Sequence, residues 1–282
     1  MKATDTYKLA NGVEIPIIAF GTWQTPDGDV AEKSVIDAIR AGYRHIDTAA
    51  IYRNEEGVGR GIANSGVPRE ELFVTTKLWN DAHSYEGAKV ALDESLERLG
   101  LDYVDLYLIH WPNPKMFRDS WQEANTGAWR AMEEALAAGK VRAIGISNFH
   151  PRHVEALLES ATVQPMVNQI LANPSDMQEE LVAYNQENGM ITEAYSPLGT
   201  GKIFEIDELK ELAEKYEKTI AQLVLRWSLQ KGLLPIPKSV HEDRIKENID
   251  VFDFELSEED VAFIDSLKGK AGLAKNPDEV DF

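Results

Sequence analysis

The chain has no cysteine, which excludes disulfide bonds, thiolate metal ligands and a cysteine nucleophile. It also lacks any run near the roughly 18 consecutive apolar residues that a membrane-spanning helix needs. Met1 is followed by polar residues rather than by the apolar core of a secretory signal. We therefore expect a soluble protein of a reducing compartment, the cytoplasm.

Basic residues are few. Lys and Arg number 29 against 48 Asp and Glu, a formal net charge of −19. A surface of this sign repels nucleic-acid phosphates and anionic lipids, so we expect neither nucleic-acid nor membrane binding. An anionic ligand would need a local basic pocket to overcome the overall field.

Several common functional motifs are missing as well. No G-x-G-x-x-G follows the first predicted strand, where the turn reads Gly21-Thr22-Trp23, and this argues against a doubly wound dinucleotide-binding sheet. No G-x-S-x-G nucleophile elbow occurs. The six histidines include no i, i+4 pair, so we expect no metal site. A metal-dependent barrel hydrolase stays an alternative that activity measurements with a chelator would test.

Eight short apolar runs alternate with amphipathic stretches, and the runs are rich in the Ile, Val and Leu typical of strands buried on both faces. We predict strands at Ile17–Phe20, Tyr43–Asp47, Phe73–Thr76, Val104–Ile109, Val141–Ile146, Met166–Asn168, Met190–Glu193 and Leu234–Pro237. The helices predicted between them are Val30–Ala41, Asn54–Ser65, Tyr85–Leu99, Ser120–Ala138, Pro151–Ser160, Gln178–Gln186 and Ala221–Gln230. Glycines typical of helix C-termini follow six of the helices, at Gly42, Gly66, Gly100, Gly139, Gly189 and Gly232.

Eight strand–helix units in 282 residues predict an α/β protein of the (β/α)8 TIM-barrel class, with a doubly wound sheet as the runner-up. Residues 6–16 predict an N-terminal β-hairpin, since Asn11-Gly12 suits a type I′ turn. Two auxiliary helices are predicted outside the eightfold pattern, at Glu208–Glu217 and Glu258–Leu267. Residues 268–282 form a short C-terminal tail, and we predict one barrel domain spanning 1–282.

Four polar residues follow or end three successive strands of this pattern. Asp47, Lys77 and His110 each end an apolar run, and Tyr52 follows Asp47 by five positions. In a barrel, the C-terminal ends of the strands surround a single mouth, which would bring these side chains together. Taken alone, Asp47 and Lys77 could be a structural ion pair and His110 a core histidine. The number of such residues, and the tryptophans near other strand ends, favour an active site in an apolar pocket lined by Trp23, Trp79 and Trp111.

General acid catalysis by a tyrosine is the chemistry that these residues support. Lys77, held by Asp47, would lower the pKa of the Tyr52 hydroxyl from its usual value of about 10. His110 would orient a carbonyl group by hydrogen bonding.

Six segments of the chain resemble the signature segments of the aldo-keto reductases, which are NADPH-dependent carbonyl reductases with a (β/α)8 barrel. They are Gly42–Tyr52, Thr75–Trp79, Leu108–Pro112, Gly145–Asn148, Ala194–Gly199 and Pro237–Asn248. The resemblance implies that Tyr52 is the general acid, that Asp47 and Lys77 tune it, and that His110 orients the substrate. The cofactor would supply the hydride.

The resemblance also implies a binding site for NADPH/NADP+. Ser147, Asn148 and Gln169 would hold the nicotinamide carboxamide, and Tyr195 would stack on the ring. The remaining contacts would come from residues around the pyrophosphate and the adenosine, at Gly21, Thr22, Asp47, Ser196, Leu198, Gly199, Lys238, Ser239, Val240, Arg244 and Asn248. Lys238 and Arg244 would favour the 2′-phosphate of NADPH over the bare ribose of NADH.

The short tail and the His-Trp-Pro-Asn-Pro stretch are most similar to bacterial members of the family such as the 2,5-diketo-D-gluconate and glyoxal reductases. Small aldehydes, ketones and keto acids are therefore the expected substrates, and a monomer is the expected state. A cofactor-sensing binding subunit with little catalysis is the alternative within the same resemblance.

Overall fold

The computed structural model covers residues 1–282. Two strands form an N-terminal antiparallel hairpin, β1 Thr6–Lys8 and β2 Glu14–Pro16. Eight parallel strands form the central sheet in chain order: β3 Phe20–Gly21, β4 His45–Asp47, β5 Phe73–Leu78, β6 Val104–Ile109, β7 Val141–Ser147, β8 Val167–Leu171, β9 Ile191–Tyr195 and β10 Leu234–Ile236. Backbone N–H groups of Ala19 and Gly21 donate to the carbonyls of Pro235 (3.1 Å) and Pro237 (2.9 Å), which joins the first barrel strand to the last. The predicted closed barrel is confirmed.

The first barrel strand, β3, contains only Phe20 and Gly21. It is shorter than the predicted Ile17–Phe20 and lies at the C-terminal end of that range. The reason lies in β10 and the residue after it, because Pro235 and Pro237 have no N–H and can only accept hydrogen bonds from the first strand. Three other strands run two or three residues farther than predicted. Lys77, Gln169 and Tyr195 therefore lie inside β5, β8 and β9 rather than after them.

Ten helices surround the sheet: α1 Asp29–Ala41, α2 Glu55–Ala63, α3 Tyr85–Leu99, α4 Trp121–Ala137, α5 Pro151–Leu158, α6 Glu179–Glu187, α7 Asp207–Lys215, α8 Ile220–Gln230, α9 Glu242–Ile249 and α10 Glu258–Asp265. The predicted auxiliary helices are α7 and α10. Both pack with α8 in a separate apolar cluster that includes Leu209, Trp227 and Ile264. None of the helices combines the length and hydropathy needed to cross a membrane.

The hairpin closes the end of the barrel opposite the strand C-termini. Ile15 is fully buried in one cluster with Leu106, Leu234 and other residues of the barrel strands. The predicted type I′ turn is wrong. Leu9 and Val13 are joined by a hydrogen bond (2.8 Å), the Gly12 N–H donates to the Leu9 carbonyl (2.8 Å), and only Gly12 has a positive φ, of 88°. This pattern is a three-residue loop with glycine at its left-handed position.

Candidate active site

Lys77 is the centre of a buried group of polar side chains inside the barrel mouth. Its Nζ donates to Asp47 Oδ1 at 2.7 Å and to the Thr48 carbonyl at 2.9 Å, and it lies 3.4 Å from the Tyr52 hydroxyl. Strand pairing between β4 and β5 places Asp47 beside Thr75, two residues before Lys77. The Lys77 side chain has no solvent exposure, so its charge depends on these partners. Asp47, Tyr52 and Lys77, three of the four residues grouped from the sequence, are thus in contact.

Opposing effects set the charges of this group. Burial lowers the pKa of the Lys77 ammonium, but the nearby charges of Asp47 and Tyr52 outweigh it and the net shift is upward. Burial raises the pKa of the Tyr52 phenol by more than the Lys77 charge lowers it. The expected net lowering of the Tyr52 pKa is therefore wrong. A phenol with a raised pKa keeps its proton through neutral pH.

His110 directly follows β6 and faces the phenol edge-on. Its ring centroid lies 5.9 Å from that of Tyr52 and 5.1 Å from that of Trp79. Burial, followed by the charge of Lys77, holds the pKa of His110 well below its usual value. The imidazole is therefore neutral and can offer a hydrogen bond rather than a positive charge.

A second polar group contains the residues predicted to hold the carboxamide. The Tyr195 hydroxyl donates to Asn148 Oδ1 at 2.8 Å, and the Ser147 hydroxyl donates to the Gln169 carbonyl at 2.7 Å. This group is joined to the first at two points. Asn148 Nδ2 donates to the His110 carbonyl at 3.0 Å, and Gln169 Nε2 donates to Asp47 Oδ2 at 2.9 Å. The two groups therefore form one continuous network.

Two of the three predicted pocket tryptophans meet an aromatic residue of the tail. Phe282 stacks on Trp79 with centroids 5.9 Å apart and meets Trp111 edge-on at 5.2 Å. Trp23 is 46% exposed and makes no ring contact with them.

Hydrogen bonds from Arg152, Asn113 and His153 to Asp278 hold the tail in place. Sequence reasoning missed Phe282, although an aromatic residue in a polar tail was the available signal.

The other predicted cofactor residues lie on the loops after the first and last barrel strands and after β9. Thr22 Oγ1 donates to the Asp47 carbonyl at 3.0 Å, which ties the first of these loops to the network. Lys238 and Arg244 are exposed and have no carboxylate partner, and Lys238 Nζ contacts only the Gln24 carbonyl, at 3.3 Å. Gly21 ends β3, and the remaining predicted residues occupy the loops after β9 and β10 and α9: Ser196, Leu198, Gly199, Ser239, Val240 and Asn248.

Glu193 is a second residue that sequence reasoning missed. It lies in β9 with no solvent exposure and accepts a hydrogen bond from Gln169 Nε2 at 2.7 Å. An acid between Thr192 and Ala194 in a buried strand was the available signal. No group of three or more His, Asp or Glu side chains is arranged to hold a metal ion.

Comparison with known proteins gives a consistent result. The family model described as "Aldo/keto reductase family" matches residues 17–268. The glyoxal reductase of Bacillus subtilis is 50% identical, over 99% of this chain and 98% of its own. The methylglyoxal reductase of Yersinia pestis is 44% identical, over 96% and 95%.

A solved structure agrees with these relatives. The aldo-keto reductase of Bombyx mori, crystallised in complex with NADP, superimposes with a TM-score of 0.84 at 42% identity, over 96% of this chain and 94% of that one. With the family model matching most of its length, this chain belongs to the aldo/keto reductase family of oxidoreductases.

Proposed function

We propose that the protein uses NADPH to reduce small aldehydes, ketones or keto acids to alcohols, with Tyr52 as the proton donor. The observation that carries the proposal is the position of the buried Lys77 ammonium, 2.7 Å from Asp47 and 3.4 Å from the Tyr52 hydroxyl. When bound, NADPH supplies the hydride for such a reduction.

We also propose that the enzyme is a monomer, since one chain supplies the whole network of polar side chains at the barrel mouth. Light scattering of the protein in solution tests this.

Each side chain has a definite part in the proposed reaction. The neutral imidazole of His110 donates a hydrogen bond to the substrate carbonyl and orients it. The Tyr52 hydroxyl then transfers its proton to the carbonyl oxygen as charge develops there. The Lys77 ammonium stabilises the phenolate that this step creates, and Asp47 holds the ammonium in place.

The residues around the mouth suit a nicotinamide dinucleotide. The side-chain amides of Asn148 and Gln169 can pair with a carboxamide, because each offers both a donor and an acceptor. The exposed cations Lys238 and Arg244 have no carboxylate partner in a protein of net charge −19, so they suit a phosphate group. The Bombyx mori relative was crystallised with NADP, which supports the same assignment.

Replacing Tyr52 by Phe tests the proton donor. The ring is retained and only the hydroxyl is lost, so we expect turnover to fall by about 10²–10⁴-fold or more while NADPH affinity stays nearly intact. Tyr43→Phe is the matched control, since it removes a buried hydroxyl that has no hydrogen-bond partner. A Tyr52→Phe enzyme with wild-type turnover would remove the proposed role.

The assay should follow NADPH absorbance with a panel of small carbonyl compounds, beside a titration of NADPH binding. Glyoxal and methylglyoxal head the panel because two relatives carry those names. Binding without oxidation of NADPH would instead favour a cofactor-sensing subunit.

A further inference from the structure

Glu193 is a buried acid that the proposed reaction does not use. Its strand partner across the β8–β9 ladder is Gln169, and both side chains are almost fully buried. Its Oε2 accepts from Gln169 Nε2 at 2.7 Å. Its Oε1 has no hydrogen-bond partner and lies 3.8 Å from His45 Nε2. The carboxyl group therefore has one strong contact, and that contact is with a residue of the candidate nicotinamide site.

The same Gln169 amide nitrogen also donates to Asp47 Oδ2 at 2.9 Å. One NH₂ group thus lies between two carboxyl groups, both of which are acceptors. Turning the amide over would place its oxygen against the Asp47 carboxylate, which cannot donate, and would lose the hydrogen bond from Nε2 to Glu193 Oε2, so the two contacts together set the orientation of the amide. The amide oxygen is left without a partner in the protein, and it is not among the fully buried atoms.

Charge explains why a carboxyl group suits this position. The groups facing Glu193 are Asp47 and His45 from β4, Lys77 from β5 and the neutral amide of Gln169 from β8. Burial, followed by the charge of Asp47, raises the pKa of Glu193. A neutral carboxyl group can accept from the amide without adding a second buried anion beside Asp47.

We propose that Glu193 is a positioning residue: together with Asp47 it holds the Gln169 amide with its oxygen directed away from the carboxyl groups, as an acceptor for the N–H of a nicotinamide carboxamide. This inference rests on the proposed function, because it assumes that a nicotinamide occupies the mouth. Without Glu193, Asp47 supplies only one of the two contacts, so the amide is held less firmly in this orientation.

The test compares two dinucleotides on two variants. NADP⁺ carries the carboxamide N–H, whereas its 3-acetylpyridine analogue has a methyl group there and cannot donate. For Glu193→Leu, we expect the Kd of NADP⁺ to rise by about tenfold, the equivalent of one hydrogen bond, and the Kd of the analogue to change by less than about twofold. Glu193→Gln keeps an acceptor at this position and should retain wild-type affinity for both. If the leucine variant does not fold, Glu193→Met, of similar volume, carries the same measurement.

Each outcome decides whether Glu193 positions the Gln169 amide. An equal loss for both dinucleotides shows a general structural effect, and an unchanged NADP⁺ affinity in the leucine or methionine variant shows that Glu193 does not position the amide. Either result overturns the inference while leaving the proposed reduction intact, provided that the wild type binds NADP⁺ and oxidises NADPH with a carbonyl substrate. A wild type that does not bind NADP⁺ overturns both.

Discussion

Glu193 should make the stability of the folded protein depend on pH in an unusual direction. Its carboxyl pKa is raised to about 8 in the folded state by burial and by the charge of Asp47, against a usual value near 4.5. The folded state therefore holds this proton more tightly than the unfolded chain does. The stabilisation is complete below the unfolded pKa and is lost as the pH rises through the folded one. Most acidic residues in ion pairs behave in the opposite way.

The magnitude follows from the two pKa values. Between them, stability falls by nearly 1.4 kcal/mol per pH unit, which amounts to about 2.5 kcal/mol between pH 5 and pH 7. Glu193→Gln removes this titration and retains the size and the acceptor. The free energy of unfolding of the variant relative to wild type should therefore rise by roughly 2–3 kcal/mol from pH 5 to pH 7.

Urea unfolding of both proteins at half-unit pH intervals measures this difference directly. Other titrating groups are common to the two proteins and cancel in the comparison. Glu180→Gln is a matched control on the exposed surface of α6 and should track the wild type. A stability difference between the Glu193 variant and wild type that stays constant from pH 5 to pH 8 would refute the reasoning, because it would mean that the buried carboxyl group is ionised throughout.

The other predictions concern the cofactor and substrate sites. Arg244→Ala should weaken the binding of NADPH by about tenfold more than that of NADH, since the guanidinium has no carboxylate partner and is available to a phosphate. Lys246→Ala, which removes a lysine paired with Glu242 on the same helix, is the control, and equal loss for both dinucleotides would contradict the assignment. Phe282→Ala should raise the KM for small aldehydes a few-fold without altering NADPH affinity, because Phe282 contacts Trp79 and Trp111. A fall in NADPH affinity in that variant would place Phe282 at the cofactor instead.

The barrel could be predicted because local signals repeat along the chain. Apolar runs of strand length alternate with amphipathic stretches, and all six glycines predicted to follow helices have a positive φ. The errors occur where a partner distant in sequence decides the structure. The first barrel strand is limited by prolines more than 200 residues away, which no local pattern of Ile17–Phe20 could reveal.

In the candidate site, too, the features set by local sequence could be predicted and those set by distant partners could not. Asp47, Lys77 and His110 could be grouped because each stands out as a polar residue at the end of an apolar run. The sign of the net pKa shift on Tyr52 could not be obtained in that way, because it depends on how much burial opposes the charge of Lys77. Glu193 was also missed, because its proposed role depends on its contact with Gln169 on the neighbouring strand and, through Gln169, on Asp47 across the barrel.

The balance of buried charge explains how these features act together in the proposed reaction. With His110 and Glu193 neutral, the network holds one anion, Asp47, and one cation, Lys77. Proton transfer from Tyr52 creates a second anion 3.4 Å from the Lys77 nitrogen, an attraction of about 5 kcal/mol at an effective dielectric constant near 20. An ionised Glu193 would compete for the same ammonium and would lie closer to Asp47 than their mutual repulsion favours. The neutrality of the buried acid therefore leaves the Lys77 charge available to the phenolate, at the point in the reaction where it is needed.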